Sequence, residues 1–146
     1  MVREAGTADF EAVMQLYRQL HPKDPAVENG RAAEVFADIL RTPGLRLFVL
    51  EDDGVVIGTT YLNLIPNLTR GASPYAVIEN VVVDADRRGR GLGKELMAGT
   101  LRAAWEAGCY KVMLATGSRN PATHAFYERC GFSPDEKAAY VARPDR

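Results

Sequence analysis

Between residues 10 and 20 the apolar side chains Phe10, Val13, Met14, Tyr17 and Leu20 recur three or four positions apart, the spacing of one face of a helix. Thr7 is placed to cap that helix, with Asp9 and Glu11 in its first turn, and His21-Pro22-Lys23-Asp24-Pro25 breaks it. A short strand over 2–4 precedes it, and a second helix over 28–40 stops before Pro43-Gly44. The pattern then changes period. Residues 45–50 and 55–62 read as strands joined at Asp53-Gly54, a strong hairpin signal. After a loop with Pro66, Gly71 and Pro74, residues 75–83 form another strand. Over 91–107 a helix carries Leu92, Leu96, Met97, Leu101, Ala104 and Trp105 on a broad apolar side and Glu95, Arg102 and Glu106 on a narrow polar one; Gly108 ends it. A strand over 111–115 follows, then a short helix over 121–129 that begins after Asn120 and closes at Gly131. A last strand over 137–143 stops before Pro144.

Strands alternate with helices in the second half, which requires at least one crossover connection and therefore a mixed sheet. A chain of 146 residues suits a single domain, 1–146, and buries a core without disulfides. The two cysteines, Cys109 and Cys130, form no CxxC pair, and with only His21 and His124 beside them no metal-ligand spacing appears. Two reduced, mostly buried thiols in a cytoplasmic protein are expected. The first ten residues lack the apolar core of a signal peptide, and no apolar run approaches the roughly 20 residues that cross a bilayer. A net charge of −1 argues against a nucleic-acid or anionic-membrane surface, so neither partner is expected.

Against that near-neutral background, Arg87, Arg88, Arg90 and Lys94 stand out, threaded through Gly89, Gly91 and Gly93 between a strand and a helix. Helix N-termini expose unpaired N–H groups, and glycines let backbone approach a ligand, so the segment is built to hold phosphate. It is not a Walker A loop: Arg88 stands where the first Gly belongs and Glu95 where Ser or Thr belongs. Nor do its glycines follow the dinucleotide spacing GxGxxG. What remains is Arg-x-x-Gly-x-Gly at 88–93.

That motif resembles the acetyl-CoA-binding signature of the GNAT superfamily of acyltransferases, Gln/Arg-x-x-Gly-x-Gly/Ala. A second stretch, Asn120-Pro-Ala-Thr-His-Ala-Phe126-Tyr127 with Gly131-Phe132 behind it, resembles the superfamily's later segment in the same order. Thr123 departs from the small Ala common there. The resemblance implies an α/β (α+β) fold: a mixed, mostly antiparallel sheet flanked by helices and splayed at its central strands. It implies that Arg88, Gly89, Arg90, Gly91, Leu92, Gly93 and Lys94 hold the CoA pyrophosphate, with Arg88 and Lys94 in direct contact and Arg87 left in solvent. Val81, Val82 and Val83 pair their backbone with the pantetheine arm, which Asn120 also bonds beside Phe126. No metal is called for. A homodimer is expected from family habit.

An amine attacking a thioester must be neutral and held near the carbonyl, and the departing thiolate must be protonated. No Cys-His or Ser-His constellation is evident, so direct transfer is expected. Tyr127 matches the superfamily's proton donor to the thiolate. Glu79 is the expected general base. Period-two alternation puts it with Tyr75, Val77, Val81 and Val83, opposite Ala76, Ile78, Asn80 and Val82. Both sides are largely apolar, so the strand is expected to be covered on both, Glu79 to be buried, and burial to raise its pKa. The acceptor is expected to be a small-molecule amine bound by the loop over 63–74 and the N-terminal helices. The strings ENVVVD and GCYKVML resemble glucosamine-6-phosphate N-acetyltransferases, and Arg70 and Arg119 are the candidates for a sugar phosphate. The alternatives from other classes are a non-catalytic acyl-CoA sensor on the same fold, which needs neither Glu79 nor Tyr127, and a small RNA-binding or interaction module, which the near-zero charge disfavours.

Overall fold

Asp53 and Gly54 both take left-handed backbone angles, φ 51° and 77°, and turn β2 (Leu45–Asp52) tightly into β3 (Val55–Ile65). That hairpin is the centre of the sheet. The computed structural model describes residues 1–145 in two units, Met1–Leu114 and Ala115–Arg146, the second as far as Asp145. In the first unit β1 (Val2–Glu4) lies along β2, and β4 (Tyr75–Val83) along β3, all antiparallel. β5 (Val112–Met113) adds to β4 in parallel, giving the order β1-β2-β3-β4-β5. Helices α1 (Phe10–Leu20) and α2 (Asn29–Arg41) precede β2; α3 (Thr69–Ala72) is one tight turn between β3 and β4; α4 (Leu92–Glu106) supplies the crossover to β5.

Each face of the sheet has its own cover. On one, Val13 of α1 and Phe36 of α2 are buried against Leu47 and Val49, with Tyr17, Ile39 and Tyr61 packed around them. On the other lies α4. Thr60 and Thr100 share a buried hydroxyl hydrogen bond of 2.7 Å, and Thr100 also donates to the Leu96 carbonyl at 2.8 Å. α4 comes so near β1 that a Cβ at Gly99 would stand 2.8 Å from Val2. Leu96, Met97, Ala103 and Ala104 are buried on that helix, whereas Trp105 is 51% exposed and so is not part of the apolar side expected of it.

Three further expectations are corrected. Thr7 does not cap α1: it opens a 3₁₀ turn, Thr7–Asp9, that runs into the helix, and the Asp9 carboxylate is what accepts the Gly6 N–H at 2.7 Å. The strand expected over 111–115 is reduced to Val112–Met113. No strand forms over 137–143 among the described residues, and Tyr140 there is 95% exposed. A strand exists only where its N–H and C=O groups find a ladder, and short apolar composition alone did not provide one. β5 is consequently the edge of the five-stranded sheet.

The second unit contains α5 (Pro121–Arg129). Phe126, Tyr127 and Phe132 stack edge to face within it, at centroid separations of 5.2 Å and 6.1 Å.

Candidate active site

Among the described residues the β4–β5 ladder consists of two pairs, Ala76↔Val112 and Val77↔Met113, and from Ile78 onward β4 has no strand paired on that side. The expected splay is therefore present, and it leaves the edge of Val81, Val82 and Val83 open to an extended ligand. Where β4 ends, Asp84 Oδ1 accepts the Asp86 N–H at 3.1 Å, and Gln19 Oε1 at the end of α1 accepts the Ala85 N–H at 2.9 Å. These bonds fix the start of the glycine turn. Gly89 and Gly91 then adopt φ 88° and 73°, and a Cβ on either would meet nothing within 4 Å. Among the described residues the N–H groups of 88–91 find no acceptor, and α4 starts without any side-chain cap. Unpaired donors on an open turn at a helix N-terminus suit an anion.

Of the cations around this turn, Arg87 departs from expectation. Arg87, expected in solvent, pairs with Asp52 of the hairpin at 3.4 Å, and Arg90 approaches the same oxygen at 3.5 Å. Arg88 donates Nε to the Val83 carbonyl at 3.2 Å, tying the turn back to the strand. Lys94 is exposed and forms no ion pair among the described residues.

A β-bulge interrupts β4. Tyr61 lies opposite Glu79 and Thr59 opposite Val82, so two residues, Asn80 and Val81, face Thr60. Asn80 takes φ 53°, which Asn tolerates better than other non-glycine residues. The bulge cancels the period-two expectation beyond Glu79. Asn80 does not point away from the α1 side: its side chain lies within hydrogen-bonding reach of the Tyr17 hydroxyl on α1. Burial pushes that phenol up to about 12, against the opposing effect of Asn80. Glu79, expected to be buried, is exposed, and the strand is not covered on both faces: Ala76, Ile78 and Val82 are buried while Tyr75, Val77, Val81 and Val83 are half-buried. Glu79 shares its face with Tyr61, its direct cross-strand neighbour. On the same face an apolar cleft of about 290 Å³ opens between α1 and α2, lined by Tyr17, Val35, Phe36 and Ile39 with Arg31 at its wall.

In the second unit, Asn120 Oδ1 accepts the Ala122 N–H at 3.0 Å and caps α5. Thr123, the departure from the expected Ala, bonds the Ser118 hydroxyl at 3.1 Å and secures the loop before the helix. Tyr127 is half-buried, and burial, with a contribution from Cys130, raises its phenol above the ordinary value. Arg119 is exposed. The turn, β4 and Arg70 thus belong to the first unit, and Arg119, Asn120, Phe126 and Tyr127 to the second.

The sequence profile of the acetyltransferase (GNAT) family matches residues 10–132. The chain belongs to that family. A glucosamine 6-phosphate N-acetyltransferase of Trypanosoma brucei brucei is 36% identical over 132 residues, covering 89% of this chain and 86% of the relative. An aminoglycoside N(6′)-acetyltransferase type 1 of Salmonella enteritidis is 26% identical over 147 residues, covering 97% of each. A solved structure from Agrobacterium tumefaciens str. C58, which carries a provisional acetyltransferase name, is 44% identical and superposes with a TM-score of 0.92 over 98% of this chain and 99% of its own.

This GNAT chain is accordingly an acetyl-CoA-dependent N-acetyltransferase that acts on an amine. Its own geometry fits the co-substrate: orphan N–H donors and open glycine positions at the turn suit a pyrophosphate, and the unladdered edge of β4 suits an amide-bearing arm. No group of three or more His, Cys, Asp or Glu able to hold a metal occurs among the described residues, and none of their helices is long and apolar enough to cross a membrane. The sequence reading missed Asn80, Tyr17 and the Asp52 pairing. Asn80 carried a legible signal, a turn-forming residue inside a run of β-branched ones; Tyr17 and Asp52 carried none.

Proposed function

We propose that the enzyme acetylates the primary amine of an amino sugar by direct transfer, with Glu79 as general base and Tyr127 as proton donor to the departing thiolate. The observation that carries this reading is the position of Glu79. It is an exposed carboxylate immediately before the β4 bulge, on the face of the α1–α2 cleft, two residues past the point where β4 parts from β5.

Acetyl-CoA supplies the activated thioester. The turn N–H groups of 88–94 hold its pyrophosphate, and Arg88, released from or shared with the Val83 carbonyl, adds charge. Leu92 and Gly93 contribute the first N–H groups of α4, where the helix dipole favours the anion. The backbone of Val81, Val82 and Val83 positions the arm, with Asn120 using its amide nitrogen, because its oxygen is engaged as the cap of α5. Glu79 accepts the amine proton, directly or through a water, and Tyr127, kept protonated by burial, gives a proton to the sulfur. The amino-sugar class is supported by the two curated relatives, whose names specify glucosamine 6-phosphate and aminoglycosides. The family profile runs across the boundary at Leu114/Ala115, which supports reading both units as one catalytic domain. The enzyme is further proposed to work in the cytoplasm and as a homodimer.

Steady-state kinetics of Glu79→Gln test the assignment. The variant keeps the shape and loses the basicity, so kcat/KM falls most near neutral pH and the acidic limb of the pH–rate profile disappears. Survival of that limb at full height removes Glu79 as the base.

A further inference from the structure

At the start of β4, on the face that carries Glu79, two cations converge on two tyrosines. Lys111 Nζ stands 5.3 Å from the ring centroid of Tyr75 and 5.3 Å from that of Tyr110. The Arg70 guanidinium stands 6.0 Å from the Tyr110 ring, on which both cations therefore meet. The rings themselves lie edge to face, 6.4 Å apart. Two backbone bonds assemble the cluster: Tyr110 N–H donates to the Pro74 carbonyl at 3.0 Å and Ala76 N–H to the Lys111 carbonyl at 3.1 Å.

Neither cation forms an ion pair among the described residues, whereas Arg3, Arg41, Arg46, Arg87 and Arg90 each do. Two like charges gathered on one ring repel, and a cation–π contact at an exposed site returns little against that repulsion. The loop that delivers Arg70 is also strained. Arg70, Gly71 and Ala72 take φ 55°, 70° and 60° in succession, a left-handed conformation that is unfavourable for a residue with a Cβ. Asn67 holds it there, its amide donating to the Thr69 carbonyl at 3.0 Å and the Ser73 carbonyl at 3.2 Å. Unbalanced positive charge and maintained strain at one spot mark a place where a ligand completes the structure.

The ladder from Tyr75 to Glu79 is regular, so the two residues lie on one face, four positions and about 13 Å apart. One small acceptor can touch both. Val83, by contrast, is eight positions from Tyr75, about 26 Å, which separates this cluster from the phosphate turn beyond it.

We propose that Arg70 and Lys111 form an anion subsite of the acceptor pocket, flanked by Tyr75 and Tyr110, and that the preferred acceptor is an amine bearing a phosphate ester, sulfate ester or carboxylate. The amine lies at Glu79 and the anion between the two cations; the tyrosine rings border the sugar ring. This rests on the reading of Glu79 as the acceptor's base.

The test is thiol-release kinetics with acceptors that differ only in the anion: glucosamine, glucosamine 6-phosphate, glucosamine 6-sulfate and glucosaminuronic acid. Each is assayed with the wild-type enzyme, with Lys111→Gln and with Arg70→Asn, chosen because Asn tolerates the left-handed backbone. The expected result is a preference of tenfold or more in kcat/KM for at least one anionic acceptor. Each variant should lower that value about 10–100-fold through KM, the loss expected of one charged hydrogen bond. The kcat/KM ratio of the anionic acceptor to glucosamine falls toward one in each variant, while the Kd for CoA keeps its wild-type value. The most favoured acid identifies which anion the subsite takes. Equal use of glucosamine and every anionic partner, or a preference that survives in both variants, overturns the subsite while leaving the amino-sugar reading intact. Acetylation of other amines and of no amino sugar overturns both.

Discussion

Gly91 is the residue at which the phosphate turn is most directly tested. Its φ of 73° is one that L side chains rarely adopt, and a Cβ there would meet nothing of the protein within 4 Å. Replacing it with Val therefore brings no steric clash inside the fold. The cost to stability is conformational, about 1–2 kcal/mol for a left-handed residue and toward the upper end for a β-branched one. In a chain of this size that corresponds to roughly 3–6 °C in Tm. The cost to binding is separate. The empty side of Gly91 is where the pyrophosphate is to lie, and a branched side chain holds the anion off the N–H groups of the turn. Losing two charge-assisted hydrogen bonds, at about 1.5–3 kcal/mol each, weakens CoA binding by roughly 10²–10⁴-fold. Gly91→Asn separates the two costs, since Asn accepts the backbone angle but still carries a Cβ. It should melt near wild type and still bind CoA weakly. Calorimetric titration of CoA, paired with a melting curve for each variant, reads both quantities. A folded Gly91→Val protein with the wild-type Kd refutes the placement of the pyrophosphate.

Tyr127→Phe should leave the CoA Kd nearly unchanged and lower kcat by about 10²–10⁴-fold, the range of a general acid, and wild-type turnover would remove Tyr127 from the chemistry. Asp9 is buried and receives Arg3 at 2.9 Å and 3.1 Å and the Gly6 N–H at 2.7 Å; the Arg3 hydrogen bonds, above all, hold its carboxyl below the ordinary value of 3.8. A depressed folded-state pKa gives stability that is present above the ordinary value and lost as pH falls through the lower one. Asp9→Asn should thus cost about 1.5–3 kcal/mol near pH 7 by chemical denaturation, a gap that narrows below pH 3.8, and a pH-independent gap would contradict the pairing. Light scattering should give twice the 16.0 kDa chain mass at micromolar concentration, and a monomer there excludes the homodimer.

Local patterning determined a good deal of this protein. The helical spacing of Phe10 to Leu20, the Asp53-Gly54 hairpin, the strand Tyr75–Val83 and the helix Pro121–Arg129 all followed from period and turn chemistry, because each depends on neighbours a few residues away. Two short motifs at 88–93 and 120–132 were enough to place the chain in its family, since a phosphate-binding turn needs glycine at fixed intervals whatever surrounds it. Other features were decided only in three dimensions. No ladder formed over 137–143, because strand pairing depends on a partner that the segment's own composition does not supply. The bulge at Asn80 reversed the face of one side chain and left Glu79 in solvent, because register is set jointly by β3 and β4. Asp52 met Arg87 and Arg90 across 35 and 38 residues of chain, and Lys111 met Tyr75 across the crossover of α4. A charge in a sequence has no partner until the fold assigns one, and for this enzyme the fold determined which cations are paired with protein carboxylates.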